Sequence, residues 1–200
     1  MPTLVEMSAA AELIVVGCNG RGAVGRVLLG WVSSGVVRSA KCPVAVIHAD
    51  ASSTPQTDRA PVLVGVDCSP ASELAVAIAF DEASRRGVEL TALHTWSDVA
   101  VYQLPWLDWK SQAERNLAEY LAGSQERYPD VMVNRLVAVD HPGRALIEAS
   151  ESAQLVVVGS HGRGGVTGML LGSVSDAVVH SVHTPVIVAR QSQDSRRCET

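Results

Sequence analysis

Residues 11–47 read AELIVVGCNGRGAVGRVLLGWVSSGVVRSAKCPVAVI, and residues 153–189 read AQLVVVGSHGRGGVTGMLLGSVSDAVVHSVHTPVIVA. The second stretch repeats the first at an offset of 142 residues without a gap, and about 20 of the first 36 aligned positions are identical. This offset is the length of a whole domain, much longer than the repeat of a solenoid. The repeat therefore predicts two related domains in tandem, the first represented only by its C-terminal end in residues 1–50.

The sequence between and after the copies marks the domain boundaries. Residues 51–60 (ASSTPQTDRA) are small and polar, as is typical of a linker. Residues 61–190 have the length of one complete domain. Residues 191–200 (QSQDSRRCET) lack apolar periodicity, which predicts a flexible tail.

Short β-branched runs alternate with helical patterns in residues 61–190, which indicates parallel strands joined by crossover helices. One helix is predicted from Pro70 to Arg86, with Ser69 as its N-cap and Gly87 as its stop. The predicted fold is an α/β, Rossmann-like, five-stranded parallel sheet with helices on both faces, plus an incomplete N-terminal copy of β-α-β form. The inward face of the Pro70–Arg86 helix is expected to consist of Leu74, Ala77, Ile78 and Ala79.

Composition narrows the classes of function. The chain is 47% hydrophobic but only 4% aromatic, which is typical of buried parallel strands covered by alanine-rich helices. A net charge of −5 without a basic run argues against nucleic-acid binding. The four cysteines and six histidines are scattered, so neither a metal site nor a disulfide framework is expected. Since no apolar run is long enough to span a bilayer, a cytoplasmic protein without membrane contact is expected.

Two features indicate a ligand site at the carboxyl end of the sheet. Asp67 ends the first strand, where its carboxylate can accept hydrogen bonds from a ligand; simple turn chemistry before the helix is the alternative. The fourth strand runs into a glycine-rich loop, from Gly159 to Ser173, which is called the glycine loop below. Its amides, with the following helix N-terminus, suit a polyphosphate. Arg163 brings positive charge to this loop, and Ser173 is expected as the helix N-cap or a phosphate donor. A flexible surface loop that binds nothing is the competing interpretation.

These motifs together resemble the universal stress protein family. The resemblance covers Pro61 to Arg190 and rests on Val-Gly-Val-Asp67, Leu-His94-Thr-Trp and Gly159-x2-Gly162-x9-Gly172-Ser173. It implies strand order 3-2-1-4-5 and an ATP ligand, with magnesium or manganese carried on the phosphates. By this resemblance Asp67 approaches the ribose, the backbone around Thr95 pairs with adenine, and Gly159 lies beside the ribose. The phosphates are then expected on Gly162, Gly172, Ser173 and the amide of Val174.

The N-terminal copy keeps only part of this pattern. Gly17, Gly20 and Gly30 match the glycine spacing, but Trp31 replaces the serine, so we expect one nucleotide site per chain. In the family the fifth strands often pair antiparallel. The resemblance thus implies that residues 43–47 pair with residues 186–189 within the chain, or that two chains form a homodimer.

The predicted function is that of an ATP-binding regulatory or stress-response protein. No nucleophile and base can be assigned from the sequence, so at most slow ATP hydrolysis is expected, with no catalytic residue. A nucleotide-free dimerisation or interaction module is the main alternative. An adenylate-transferring enzyme fits less well, because residues 66–72 (VDCSPAS) match no such motif. Cyclic AMP in place of ATP is a further alternative ligand.

Overall fold

A computed structural model describes residues 2–18, 29–48, 59–96, 106–162 and 171–190 of the chain. Helices and strands alternate within each of the two copies, as the repeat and the apolar patterns predict. In chain order the elements are α1 (Pro2–Met7), β1 (Ile14–Cys18), α2 (Trp31–Ser39), β2 (Val44–His48), β3 (Val62–Gly65), α3 (Pro70–Arg86), β4 (Leu90–Thr95), α4 (Trp106–Arg127), β5 (Val133–Ala138), α5 (Pro142–Ser150), β6 (Leu155–Gly159), α6 (Ser173–Ser181) and β7 (Val186–Ala189).

The strands form one seven-stranded sheet in the order β1-β2-β7-β6-β3-β4-β5. The five strands from β3 onward are parallel and have the relative order 3-2-1-4-5, so the predicted α/β fold class is confirmed. β1 and β2 extend this five-stranded sheet beyond β7, which is the intrachain pairing of residues 43–47 with residues 186–189 that was one of the two expected arrangements. Its strand order reverses between β3 and β6, where open parallel sheets usually bind their ligands.

Two apolar layers cover the sheet, one on each face. Leu63, Val156 and Val188 belong to the layer beneath α2, α5 and α6, whereas Val64 and Val157 belong to the layer beneath α3 and α4. These side chains alternate along each strand, since neighbouring residues point to opposite faces. Both faces of the central strands are thereby buried, which explains the valine-rich runs.

The helix α3 begins and ends where the sequence predicts. Ser69 occupies the N-cap position and Gly87 ends the helix in the left-handed region, at φ 63°. The inward face differs from the expectation: Ala77 is exposed, and Leu74 and Ile78 lie at the margin. The buried face of α3 is shifted by one residue from the predicted face and consists of Ala75, Val76, Ala79, Phe80 and Ala83.

Among the helices of the described residues, none is both long and apolar enough to cross a bilayer.

The N-terminal copy (residues 2–48) contains one more element than expected. The helix α1 precedes β1, so the unit is α-β-α-β where β-α-β was predicted. Its Ser8 Oγ donates to Val5 O at 2.5 Å, as Ser150 Oγ donates to Ile147 O at 2.6 Å in α5. Ser8 and Ser150 are 142 positions apart, and so are Val5 and Ile147. The repeat therefore includes this helix.

The two copies meet at an antiparallel seam between β2 and β7. Val44 lies opposite Val188, and Val46 lies opposite Val186, in the only antiparallel pairing of the described strands. Arg190 crosses the seam and donates to Val37 O at 2.7 Å. Val44, Val46, Val186 and Val188 belong to one apolar cluster, so the core is continuous across the seam.

A buried histidine at the end of β2 makes stability depend on pH. His48 is 3% exposed, and in the described structure neither of its ring nitrogens has a hydrogen-bond partner. Burial lowers the pKa of His48 below its usual 6.5, and the nearby His183 lowers it further. The unfolded chain therefore binds this proton more readily, and stability present above pH 6.5 is lost as the pH falls below it. We expect a lower urea midpoint at about pH 5.5 than at about pH 7.5.

The variant His48→Gln is expected to reduce this pH dependence, whereas His141→Gln is expected to retain it because His141 is exposed. Urea titrations followed by circular dichroism at both pH values measure the difference. An unchanged pH dependence in His48→Gln would show that other groups cause it.

Candidate functional site

The carboxyl ends of β3, β4 and β6 converge at the switch point of the sheet. Gly65 lies opposite Leu93, and Val64 lies opposite Val157. Two residues beyond Gly65, Leu93 and Val157 the chain reaches Asp67, Thr95 and Gly159. These three residues therefore lie at the same edge of the sheet. The structure thus brings three of the sequence-predicted residues to one place.

The turn after β3 fixes the Asp67 carboxylate. Cys68 has a φ of 58°, a left-handed conformation uncommon for a residue with a side chain. This conformation folds the chain back so that Ser69 N–H donates to Asp67 Oδ1 at 2.9 Å. Ser69 Oγ is buried and has no partner in the described part of the chain, so Ser69 caps α3 by position and not through its side chain.

The hydroxyl of Tyr120 ties α4 to the same turn. Tyr120 Oη donates to Ser69 O at 3.0 Å and lies 2.8 Å from Ser72 Oγ. Burial raises the pKa of the Tyr120 hydroxyl, which keeps it neutral and able to donate. Sequence reasoning missed this role, because the helical spacing of Tyr120 indicates only a core position.

The glycine loop begins directly against Asp67. A Cβ built on Gly162 would lie 2.8 Å from Asp67 Oδ2, closer than such atoms approach one another in proteins. A side chain at position 162 would therefore displace this carboxylate, whereas glycine leaves it at its observed position. The contact joins the two halves of the predicted site, one from β3 and one from β6.

The N-terminus of α6 faces the same loop. Gly172 N–H donates to Ser160 O at 2.8 Å, and a Cβ on Gly172 would lie 3.4 Å from both Ser160 O and His161 Cα. The N-cap is Gly172, so the expectation that Ser173 caps the helix is wrong; Ser173 is its first residue and is exposed. The tight fit of Gly172 to the loop places it at the cap. Among the described residues no side chain caps α6, and its first-turn amides, including that of Val174, point out of the helix.

Thr95 presents its backbone toward the site. Trp96 N–H donates to Ala138 O of β5, and Val66 N–H donates to Leu93 O of β4, both at 2.9 Å. Since backbone groups alternate in direction along a strand, those of Thr95 point toward β3 and away from β5. The neighbouring Val66 O is 2.7 Å from His94 Nδ1.

A buried serine supports the loop from below. Ser175 Oγ donates to Gly159 O at 2.5 Å, and the equivalent Ser33 Oγ donates to Gly17 O at 2.9 Å in the N-terminal copy. Both serines stand at matching positions of the sequence repeat, which was the available signal for this contact. The bond fixes the last carbonyl of the strand relative to the helix.

Other predicted features are placed differently. Arg163 and Gly20 lie outside the described residues. In the N-terminal copy, Trp31 is the first residue of α2 and is 80% exposed. Among the described residues no group of three histidine, cysteine or acidic side chains could hold a metal ion.

A groove of about 350 Å³ lies elsewhere, between α5 and the ends of β4 and β5. Leu93, Ala138 and Ala145 line it, together with the acidic side chains of Asp140 and Glu148. Two carboxylates disfavour a polyphosphate, which carries the same sign of charge. We therefore place the candidate nucleotide site at Asp67 and the glycine loop.

Known proteins match this fold and these motifs. The family described as the universal stress protein family matches residues 1–48 and 59–190. A universal stress protein of Mycobacterium tuberculosis strain H37Rv is 65% identical over 195 residues, which cover 96% of this chain and 66% of the relative. A second one from the same strain is 60% identical over the same shares of each chain. This chain thus spans about two-thirds of the length of these relatives.

A solved structure agrees with this assignment. The crystal structure of a universal stress protein from Archaeoglobus fulgidus superposes with a TM-score of 0.70 and 26% sequence identity. The superposition covers 94% of this chain and 66% of that one. From the family match over nearly all of its length and from its close relatives, the chain belongs to the universal stress protein family.

Proposed function

We propose that this chain is an ATP-binding regulatory protein of the stress response. The observation that carries the proposal is the contact between Gly162 and Asp67, which joins a carboxylate and a glycine loop at the switch point of the sheet. In this proposal the nucleotide lies across the carboxyl ends of β3, β4 and β6. The ribose lies near Asp67 and Gly159, and adenine lies near the Thr95 backbone.

The phosphates are proposed to lie at the N-terminus of α6. The amides of a first helical turn carry partial positive charge and favour an anion. The exposed hydroxyl of Ser173 can donate to the same anion, and Gly172 lets the loop approach closely. Gly162, Gly172, Ser173 and the amide of Val174 are thus the proposed phosphate contacts, with Arg163 as an additional positive charge.

A divalent cation is proposed to enter with the phosphates. Magnesium keeps much of its water shell and binds nucleotide phosphates with few protein ligands. Magnesium or manganese would neutralise phosphate charge beside the Asp67 carboxylate.

We propose binding as the output of the site, with slow ATP hydrolysis at most. Ser160 Oγ and His161 Nδ1 are 3.0 Å apart, but Ser160 is 8% exposed and its backbone is held by Ala189 and Gly172. A serine held in this way supports the loop and is poorly accessible as a nucleophile.

The first test is identification and titration of the ligand. Mass spectrometry of small molecules released from purified protein is expected to detect ATP, and calorimetry is expected to give one site per chain. Cyclic AMP should bind more weakly, because it lacks the polyphosphate that the α6 terminus would hold. Two equivalent ATP sites, or preference for cyclic AMP, would contradict the proposal.

The Asp67→Ala variant is expected to bind ATP about tenfold to a hundredfold more weakly, because a hydrogen bond to a charged group contributes roughly 1.5–3 kcal/mol. Calorimetry in the presence of magnesium measures the change. Asp81→Ala is the matched control, since Asp81 pairs with Arg85 on the exposed side of α3. Equal affinities in Asp67→Ala and Asp81→Ala would remove Asp67 from the site.

A further inference from the structure

The sheet has one open apolar face, at the N-terminal copy. Val15 of β1 is 61% exposed and Ile47 of β2 is 41% exposed. The repeat supplies their counterparts in the C-terminal copy (residues 59–190), which are Val157 and Ala189. These are 0% and 2% exposed. The same strand positions are thus buried in one copy and exposed in the other.

Two elements bury this face in the C-terminal copy. The strand β3 pairs in parallel with β6, with Val62 opposite Leu155 and Val64 opposite Val157. The helix α3 packs over β6 and β7, where Ala75 and Ala79 share one cluster with Val157. No second pair of such elements is found in the described residues.

Among the described residues, the N-terminal copy has neither a strand equivalent to β3 nor a helix equivalent to α3. Of the described strands, only β2 pairs with β1, so no described strand occupies the outer edge of β1. This edge corresponds to the edge of β6 that β3 occupies. A strand alone would pair with the edge of β1 and leave Val15 exposed. A strand followed by a helix would pair with the edge and also bury Val15.

The chemistry of the open face matches that of the covered one. Leu13, Val15 and Gly17 are identical to their counterparts at positions 155, 157 and 159. In the neighbouring strand, Ala45 and Ile47 correspond to Ile187 and Ala189, which are the same two side chains in exchanged positions. The face therefore has the composition that accepts a helix with small apolar residues at every fourth position, as in α3.

We propose that β1 and β2 form a docking surface for a strand–helix unit of the β3–α3 type, the first half of a universal stress domain. The strand pairs in parallel with the outer edge of β1, and the alanine-rich face of the helix covers Val15 and Ile47. The relatives that are 65% identical contain a further third of their length outside the match, which is enough chain for such a unit. A second copy of this chain fits less well, because antiparallel pairing of two β1 edges would leave Val15 uncovered.

The test adds a fluorescent peptide of residues 60–87, which contains β3 and α3, to the full chain. Saturable binding with 1:1 stoichiometry, measured by anisotropy, is expected. Val15→Lys should weaken binding by about tenfold or more, because the helix would bury an unpaired ammonium group. Val139→Lys should change binding by less than about twofold, since Val139 has the same 61% exposure but lies beyond β5.

Melting curves of both lysine variants should match the wild type, because both valines are exposed. Failure of the peptide to bind would overturn the proposal, as would equal binding to Val15→Lys and Val139→Lys. Sedimentation of the chain alone tests the other possible occupant, a second copy of this chain. A dimer of the chain alone that Val15→Lys abolishes would assign the face to a second copy and would also overturn the proposal.

Discussion

ATP is expected to bind the Gly172→Val variant at least about a hundredfold more weakly than the wild-type chain. A Cβ at this position already lies 3.4 Å from Ser160 O and His161 Cα, at the near limit of ordinary van der Waals contact. The two methyl groups of valine would extend from that Cβ into the loop, and their rotation is restricted. The loop would have to move away from the α6 terminus, and the proposed phosphate site would lose its shape.

The repeat supplies the matched control for this substitution. Gly30 caps α2 as Gly172 caps α6, but a Cβ on Gly30 would meet nothing within 4 Å. Gly30→Val should therefore leave ATP affinity within about twofold of wild type, because the added Cβ meets no described atom and Gly30 lies outside the proposed site. Calorimetry measures the ATP affinity of both variants. Equal affinity in Gly172→Val and wild type would exclude the glycine loop as the phosphate site.

The sheet order and the element types could be predicted because they follow from local patterns. Val-rich runs of four to six residues favour strands over helices, and α3 carries its own start and stop signals in Pro70 and Gly87. The helix α1 could not be recognised in this way, since six residues carry too little periodicity. Extending the repeat upstream would have indicated it, because Leu4, Glu6 and Ser8 are identical to Leu146, Glu148 and Ser150 of α5.

The residue types of the candidate site were predictable, but their contacts were not. Glycine spacing indicates a loop that can approach a ligand, yet it does not say which side chain the loop will pass. That Asp67 lies against Gly162 depends on β3 and β6 becoming neighbours, although 95 positions separate these two residues. The exposure of Ala77 has a similar cause, because the tilt of α3 on the sheet decides which alanines face inward.

The seam between the copies gives the prediction with the largest effect on stability. Val46 is fully buried opposite Val186, in a cluster that contains side chains from both copies. We expect Val46→Asp to destabilise the chain by more than about 3 kcal/mol, because a carboxylate would be buried without a partner. In a chain of this size the loss corresponds to a fall of roughly 6–12 °C in Tm.

The neighbouring residue separates this effect from a general effect of charge on β2. Ile47 lies on the same strand but on the opposite, open face, so Ile47→Asp should change stability by less than about 0.5 kcal/mol. Because the core is continuous across the seam, Val46→Asp should lower a single calorimetric transition that includes both copies. If a small early transition separated while the main one kept its wild-type Tm, the N-terminal copy would be an independent unit. The seam would then be a docking contact that forms after each copy has folded, and not part of a shared core.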